Sequence, residues 1–168
     1  MFSGAIRTIT RTAPEAEYVK KLLLNPNYML RGISPVISPE LLKVLSEMGH
    51  GDEIVFGDGN FPSGSHSKRL IRADGITITA LLEAIMPFFP LDYTMEWSAV
   101  TSQYRVSEPE VWGRYRKILM TDPEGSKPFL VLPKAEFYKR ASESYCVVAT
   151  SESEGFANII LRKGVVRL

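Results

Sequence analysis

The chain has 168 residues, of which 45% are hydrophobic and 23% are charged, and this composition suits one globular domain with a substantial core. Its 20 basic and 19 acidic residues leave a formal net charge of +1, which argues against nucleic-acid binding and against an anionic membrane surface as partner. No apolar run approaches the roughly 20 residues of a membrane span. The single Cys146 lies in an apolar run and is expected to be an inert thiol in a reducing intracellular compartment.

The N-terminal residues differ from the rest of the chain. Residues 1–13 contain two arginines, several Ser and Thr and no acidic residue, which is weakly typical of a mitochondrial transit peptide, while an ordinary extension is the favoured interpretation. A capping-box pattern then predicts a helix over residues 12–24. We therefore expect an extension with a short helix at residues 1–27 and the main domain at residues 28–168. The expected compartment is the cytoplasm, with the mitochondrion as the alternative.

Helices and strands are predicted in alternation along the main domain. Ser38 and Pro39 form a helix start, and Gly49 is expected to stop that helix. A short apolar run at residues 54–56 then predicts a buried strand. Further strands are predicted at residues 69–73, 93–97, 103–106, 129–132, 145–150, 156–161 and 165–166, and helices at residues 77–89, 108–120 and 135–144. This alternation predicts an α/β layered domain built around one sheet.

The most unusual chemistry lies in residues 48–62. His50 stands between two glycines, so the backbone around it can adopt torsions closed to other residues. Asp58 and Asn60 follow the predicted strand in a glycine-bounded loop. Because α/β sheets bind ligands at such strand ends, these three side chains are candidates for binding one small polar ligand.

Three interpretations of this region remain open from the residues alone. In the first, His50 and a carboxylate act as a general acid/base pair on a small hydroxylated substrate. In the second, His50, Asp52 and Asp58 bind a metal ion, although no second histidine or ligand spacing supports this. In the third, Asp58 and Asn60 cap a turn and His50 pairs with a backbone carbonyl, which is the usual role of such residues.

Other candidate groups give weaker signals. His66 lies in a Ser/Gly loop, where a histidine is more often solvated than bound to a ligand. Cys146 is a poor candidate nucleophile because its surroundings are apolar. The chain has neither a Gly-x-Ser-x-Gly elbow nor a Gly-x-Gly-x-x-Gly loop, which argues against acyl transfer and dinucleotide binding.

Several motifs resemble one known family. The chain resembles the L-fucose mutarotase branch of the family that also contains D-ribose pyranase, over about residues 29–166. The most specific match is the Met-Gly-His-Gly-Asp run followed by Asp-x-Asn-Phe-Pro. The matching segments are the run Ile-Ser-Pro-Val-Ile-Ser-Pro-Glu-Leu-Leu-Lys-Val-Leu-Ser-Glu-Met-Gly-His-Gly-Asp-Glu-Ile-Val from Ile33, Asp-x-Asn-Phe-Pro from Asp58, Ile-Arg-Ala-Asp-Gly from Ile71, Phe-Tyr-Lys-Arg-Ala from Phe137 and Leu-Arg-Lys-Gly-Val from Leu161.

The resemblance implies a fold, an activity and a set of site residues. The fold is a single-domain α/β sandwich with one mixed sheet flanked by helices, assembled into a homo-oligomer. The activity is the interconversion of the anomers of a free monosaccharide without cofactor or metal. His50 matches the catalytic histidine of the family, and Asp58 matches the carboxylate that binds sugar hydroxyls, which leaves Asp52 a structural role.

Two expected sugar-binding positions depart from the family pattern. Lys134 stands where the family has an arginine, which keeps the charge but loses the planar pair of donors. The segment Phe156-Ala157-Asn158 stands where the family has Tyr-Gly-Asn, supplied by a neighbouring subunit. We therefore expect a mutarotase for L-fucose or a related pyranose. The alternative is a sugar-binding protein or pseudoenzyme of the same fold.

Overall fold

A computed structural model of the chain describes residue 30 and residues 32–166. The chain divides into two compact units, Met1–Pro35 and Val36–Leu168. In the first unit, the described residues form an isolated β-bridge between Leu30 and Ile33. The predicted extension, its helix at residues 12–24 and the predicted boundary after residue 27 lie outside the described residues.

Strands and helices alternate through the described part of the second unit. The six strands are β1 Glu53–Gly57, β2 Leu70–Ala73, β3 Ala99–Ser102, β4 Phe129–Leu132, β5 Cys146–Thr150 and β6 Ile159–Arg162. The four α-helices are α1 Pro39–Glu47, α2 Ile78–Ile85, α3 Glu110–Leu119 and α4 Lys134–Glu143, with a 3₁₀ helix at Pro123–Ser126. No helix of the described residues combines the length and the apolar character that crossing a membrane requires.

The strands form one mixed sheet in the order β2-β5-β1-β6-β3-β4. β5 runs parallel to β1 and β2, and β3 runs parallel to β4. β6 is antiparallel to both of its neighbours, β1 and β3. The predicted single-domain α/β sandwich with one mixed sheet is therefore confirmed, with β1 at the centre.

Local sequence signals account for the helix that precedes β1. The Ser38 hydroxyl accepts a hydrogen bond from the Leu41 N–H at 3.1 Å, and Pro39 occupies the first turn, where a missing N–H costs nothing. The helix ends at Glu47, and the Met48 N–H donates to the Val44 carbonyl as its cap. The chain therefore leaves α1 just before the two glycines that surround His50.

Both faces of the sheet are covered. On one face Val55 of β1 packs with Phe137 and Ala141 of α4 in a fully buried cluster. Ile54 and Phe56 point to the opposite face, because side chains alternate along a strand, and they are equally buried. This double coverage explains why β1 reads as a continuous apolar run in the sequence.

Some predicted elements differ from the observed ones. The strands predicted at residues 93–97 and 103–106 are wrong, and β3 lies between them. The first fails because the Asp92 carboxylate accepts hydrogen bonds from both the N–H and the hydroxyl of Thr94, which bends the backbone into a turn. The final strand predicted at residues 165–166 is also not formed.

Candidate functional site

His50 lies in a tight turn between α1 and β1. The Gly49 N–H donates to the Asp52 carboxylate at 2.8 Å, and the Asp52 N–H donates back to the Gly49 carbonyl at 3.2 Å. Gly51 has φ +88°, and the guanidinium of Arg162 lies 3.0 Å from where a Cβ would be. Only glycine fits this position without strain, so the turn holds the His50 backbone in place.

A buried carboxylate holds the His50 ring. Nε2 of His50 lies 3.1 Å from Oδ1 of Asp92, whose side chain is 1% exposed while that of His50 is 45% exposed. Because an ionised carboxylate only accepts hydrogen bonds, Nε2 carries the hydrogen and Nδ1 is the nitrogen that Asp92 leaves available. The Tyr93 ring stacks beside the imidazole, with 6.3 Å between ring centroids and 9° between the planes.

Asp92 is kept ionised by its other partners. Burial raises its pKa, but hydrogen bonds from the Thr94 N–H and hydroxyl, from His50 and from Arg162 outweigh burial and lower the pKa far below its usual value. The Arg162 contact joins Nε to Oδ2 at 2.8 Å. The imidazole therefore has a permanent negative charge behind it at neutral pH.

The charged network continues away from His50. The Arg162 guanidinium also lies 3.5 Å from Glu53, which receives two hydrogen bonds from Arg140 at 2.6 and 2.9 Å. A cleft of about 580 Å³ borders this network, but neither His50 nor Asp58 lines it. The network anchors Arg162, and through Arg162 it anchors Asp92.

Asp58 and Asn158 form a second polar group. The Asp58 N–H donates to Oδ1 of Asn158 at 2.8 Å, and Nδ2 of Asn158 donates to Oδ2 of Asp58 at 3.0 Å. The Asn60 N–H donates to Oδ1 of Asp58, so this carboxylate also caps the loop that follows β1. Burial raises the pKa of Asp58, and the hydrogen bonds that it accepts lower it only in part.

Phe156 and Lys134 are connected to this second group through neighbouring residues. Phe156 precedes Asn158 by two residues, and the residue is 38% exposed. Lys134 begins α4, and its Nζ lies 5.2 Å from the centre of the Tyr138 ring. Tyr138 in turn contacts Phe61, which belongs to the loop capped by Asp58.

The predicted site residues are divided between the two ends of β1. His50 precedes the strand, whereas Asp58 follows it, and the five residues of β1 extend over roughly 13 Å. Asp92 and Arg162 lie with His50, while Asn158 lies with Asp58. One chain therefore brings Asp58 and Asn158 together and keeps His50 apart from them.

The same separation bears on the metal interpretation. Asp52 binds the Gly49 N–H beside His50, and Asp58 lies at the other end of the strand. Among residues 30 and 32–166, no group of three or more His, Cys, Asp or Glu side chains is arranged to hold a metal ion. His50, Asp52 and Asp58 thus do not form a set of ligands within the described chain.

Sequence reasoning missed Asp92 and Arg162. Asp92 is 42 residues from His50 along the chain, and no local spacing rule links residues so far apart. The one available signal was an acidic residue directly after an apolar and proline-rich stretch, a position where a buried carboxylate needs a partner.

Comparisons with known proteins agree with this architecture. The sequence profile of the RbsD / FucU transport protein family matches residues 31–166. A fucose mutarotase from Streptococcus pneumoniae, solved in complex with L-fucose, is 43% identical, with a TM-score of 0.78, over 82% of this chain and 100% of that chain. FucU from Bifidobacterium longum is 40% identical, with a TM-score of 0.77, over 81% of this chain and 99% of that one.

A more distant structure shares the fold. RbsD from Bacillus subtilis, solved with D-ribose, is 19% identical, with a TM-score of 0.59, over 78% of this chain and 95% of that chain. At this identity the likeness concerns the fold alone. Together with the family match, which covers nearly all the described residues, the comparisons confirm the resemblance found in the sequence: the chain belongs to the RbsD / FucU family.

Proposed function

We propose that the protein is a sugar mutarotase that interconverts the anomers of L-fucose or a related pyranose by general acid/base catalysis. The observation that carries this proposal is the half-exposed His50 ring held through Nε2 by the buried Asp92 carboxylate. Such an arrangement fixes the ring and leaves its other nitrogen to exchange protons with a ligand. Membership in the family, together with L-fucose in the Streptococcus pneumoniae structure, supports the choice of sugar.

The proposed reaction needs two proton transfers and no cofactor. Ring opening removes the proton of the anomeric hydroxyl, breaks the bond between the anomeric carbon and the ring oxygen, and gives that oxygen a proton. Closure on the other face of the resulting aldehyde reverses these transfers and yields the second anomer. Nδ1 of His50 is the proposed proton carrier, and general acid/base help of this kind is worth roughly 100-fold to 10,000-fold.

We further propose that the complete site is shared between subunits of a homo-oligomer. His50 lies at one end of β1, whereas Asp58, Phe156 and Asn158 lie at the other, so a sugar that contacts both groups must lie between two copies. Lys134 joins the second group as a single-point donor to sugar hydroxyls. In this arrangement Asp58 orients Asn158 through its two hydrogen bonds.

One observation favours a second candidate function, a sugar-binding protein with little catalytic activity. Phe156 offers a ring that packs on a sugar but no hydroxyl that relays a proton. Proton transfer then depends on His50 and on ordered water. Binding and catalysis must therefore be measured separately.

The test is anomer exchange measured by saturation-transfer NMR on equilibrated L-fucose. We expect the parent protein to accelerate exchange over buffer, and His50→Ala to lose about 100-fold or more of that acceleration. Arg72→Ala is the control, because Arg72 pairs with Asp74 at the exposed surface and is expected to change the rate less than twofold. Sugar binding without any exchange in the parent would favour the binding protein, and an unaffected His50→Ala variant would remove His50 from its role.

We also propose the cytoplasm as the compartment. The buried Cys146 thiol supports a structural role, because burial raises its pKa to about 11 and keeps it in the unreactive protonated form. The residues that suggested a mitochondrial transit peptide lie outside the described part of the chain.

A further inference from the structure

Phe156 has an unusual backbone conformation. Its φ is +59°, and among the described residues it is the one residue other than glycine with a positive φ. This region places the Cβ close to the following carbonyl oxygen, and it is unfavourable for a bulky aromatic residue. A conformation of this kind persists only where the surroundings hold it in place.

Two buried side chains of α3 hold the Phe156 turn. Nε1 of Trp112 donates to the Phe156 carbonyl at 3.0 Å, and the Tyr115 hydroxyl donates to the Ala157 carbonyl at 3.1 Å. Both rings are fully buried, so each places its polar atom at a fixed point. Burial raises the pKa of Tyr115 further above its usual value, so its hydroxyl stays a donor at every physiological pH.

The segments on either side of Phe156 are also fixed. The Glu154 carboxylate accepts hydrogen bonds from the Val111 N–H and from Arg114 at 3.0 Å each, which ties it to the start of α3. After the turn, Asn158 is bonded to Asp58. The backbone from residue 154 to residue 158 therefore has little freedom to relax.

Full burial of its own side chain does not offset the strain at Phe156. Trp112 and Tyr115 are fully buried, whereas Phe156 is 38% exposed. We propose that Trp112 and Tyr115 are positioning residues that hold Phe156 in the left-handed conformation, so that its ring forms the apolar wall of the sugar site. This inference rests on the proposed function.

The chemistry of the Phe156 ring indicates which step its position affects. A phenyl ring has no proton to transfer, so it packs against the C–H groups on one face of a pyranose and contributes to binding. Loss of either donor should therefore weaken sugar binding and leave the turnover rate of bound sugar nearly unchanged. A substitution that merely disturbed the packing of the subunit would instead lower both the affinity for the sugar and the turnover rate.

The first experiment measures the Kd of L-fucose by titration calorimetry and the exchange rate at saturating sugar. Tyr115→Phe and Trp112→Phe should each raise Kd by about 3-fold to 10-fold and change the rate at saturation less than twofold. Tyr145→Phe is the matched control, since its hydroxyl bonds Glu47 at the exposed surface, and it should leave Kd unchanged. In a Phe156→Ala background the two α3 substitutions should raise Kd no further, and additive effects there would overturn the proposal.

The second experiment measures thermal unfolding and does not depend on catalysis. Asparagine tolerates the left-handed region, so the melting temperature of the Phe156→Asn variant should equal or exceed that of the parent. A clear fall in melting temperature would overturn the claim that the ring is held out under strain. A parent that binds L-fucose without exchanging its anomers would refute the proposed activity alone, and the Kd comparison would still test the positioning role. A parent that neither binds nor exchanges the sugar would overturn both.

Discussion

At the scale of single residues, Asp92 accounts for the orientation of His50. A histidine with glycine on both sides has a freely adjustable ring, and a buried carboxylate that also bonds Thr94 and Arg162 removes that freedom. The same carboxylate places a negative charge 3.1 Å from the ring. The orientation of the ring and the charge beside it thus come from one side chain.

Replacing Asp92 tests both contributions. Asp92→Asn should lower the exchange rate by about 10-fold, because the ring loses its charged partner. The substitution should also lower the free energy of unfolding at pH 7 by about 2 kcal/mol, since hydrogen bonds to a charged group are lost. Rates come from the NMR assay, and stability comes from urea unfolding.

The contribution of Asp92 to the free energy of unfolding should depend on pH. The pKa of Asp92 is lower in the folded protein than in the unfolded chain, so its ionised form stabilises the fold above about pH 4, and this contribution is lost as the pH falls through the folded pKa. The stability difference between parent and Asp92→Asn should therefore shrink from pH 7 to pH 3. Asp74→Asn is the control, because Asp74 pairs with Arg72 at the exposed surface and should change stability little at either pH. A difference that stayed constant with pH would contradict the role of the Asp92 charge.

At the scale of elements, two threonines in the sheet have opposite hydrogen-bonding states. Thr101 of β3 is fully buried, and within the described chain its hydroxyl is the buried side-chain polar atom that has no partner. Thr150 of β5 donates to the Gly57 carbonyl at 2.8 Å and accepts from the Glu152 N–H at 3.2 Å. The first hydroxyl carries a desolvation cost that the second offsets.

Valine substitutions should distinguish the unpartnered Thr101 hydroxyl from the hydrogen-bonded Thr150 hydroxyl. Thr101→Val should raise the free energy of unfolding by roughly 1 kcal/mol, and Thr150→Val should lower it by about the same amount. Chemical denaturation of the two variants beside the parent measures both changes. Equal destabilisation by both substitutions would mean that the Thr101 hydroxyl has a partner in solution.

Sequence patterns predicted elements where local rules decide the structure. β1, β2, β4 and β5 were predicted to within a residue at each end, because each is a short segment rich in Val, Ile, Leu or Phe that is bounded by turn residues or by a helix. β3 was missed because its sequence, Ala-Val-Thr-Ser, has two strand-forming residues but no apolar alternation, and its pairing with β4 and β6 decides its structure. β6 begins three residues later than predicted because the strained Phe156 turn precedes it.

The site, like the fold, was predictable where its residues are close in the sequence and not where distant segments meet. The motif around His50 and Asp58 was visible because its residues are close in the sequence. The partners of each were not, since Asp92 and Asn158 are brought to them by strand pairing over 42 and 100 residues. Only the family resemblance predicts a role for Asn158.

At the scale of the whole molecule, the separation of the two site groups makes a prediction about mixtures. Subunits of His50→Ala and of Asn158→Ala should each be nearly inactive alone. After unfolding and refolding together in equal amounts, about a quarter of the sites should combine an intact His50 with an intact Asn158, and activity should return to about a quarter of the parental value.

Two controls accompany this mixing experiment. Each variant refolded alone shows how much activity survives without its missing side chain, and light scattering reports whether the parent is an oligomer at micromolar concentration. A mixture no more active than its components, or an active monomer, would contradict the shared site.

The central position of β1 also governs how the molecule moves. β1 is hydrogen-bonded on both sides and its apolar residues are fully buried, so we expect its amides to exchange with solvent only when the sheet as a whole opens. The turn that carries His50 and the loop that carries Asp58 are attached to the two ends of this one cooperative unit. Under the proposed shared site, a ligand that immobilises either end should slow opening at the other, and β1 would be the physical connection between one site and the next.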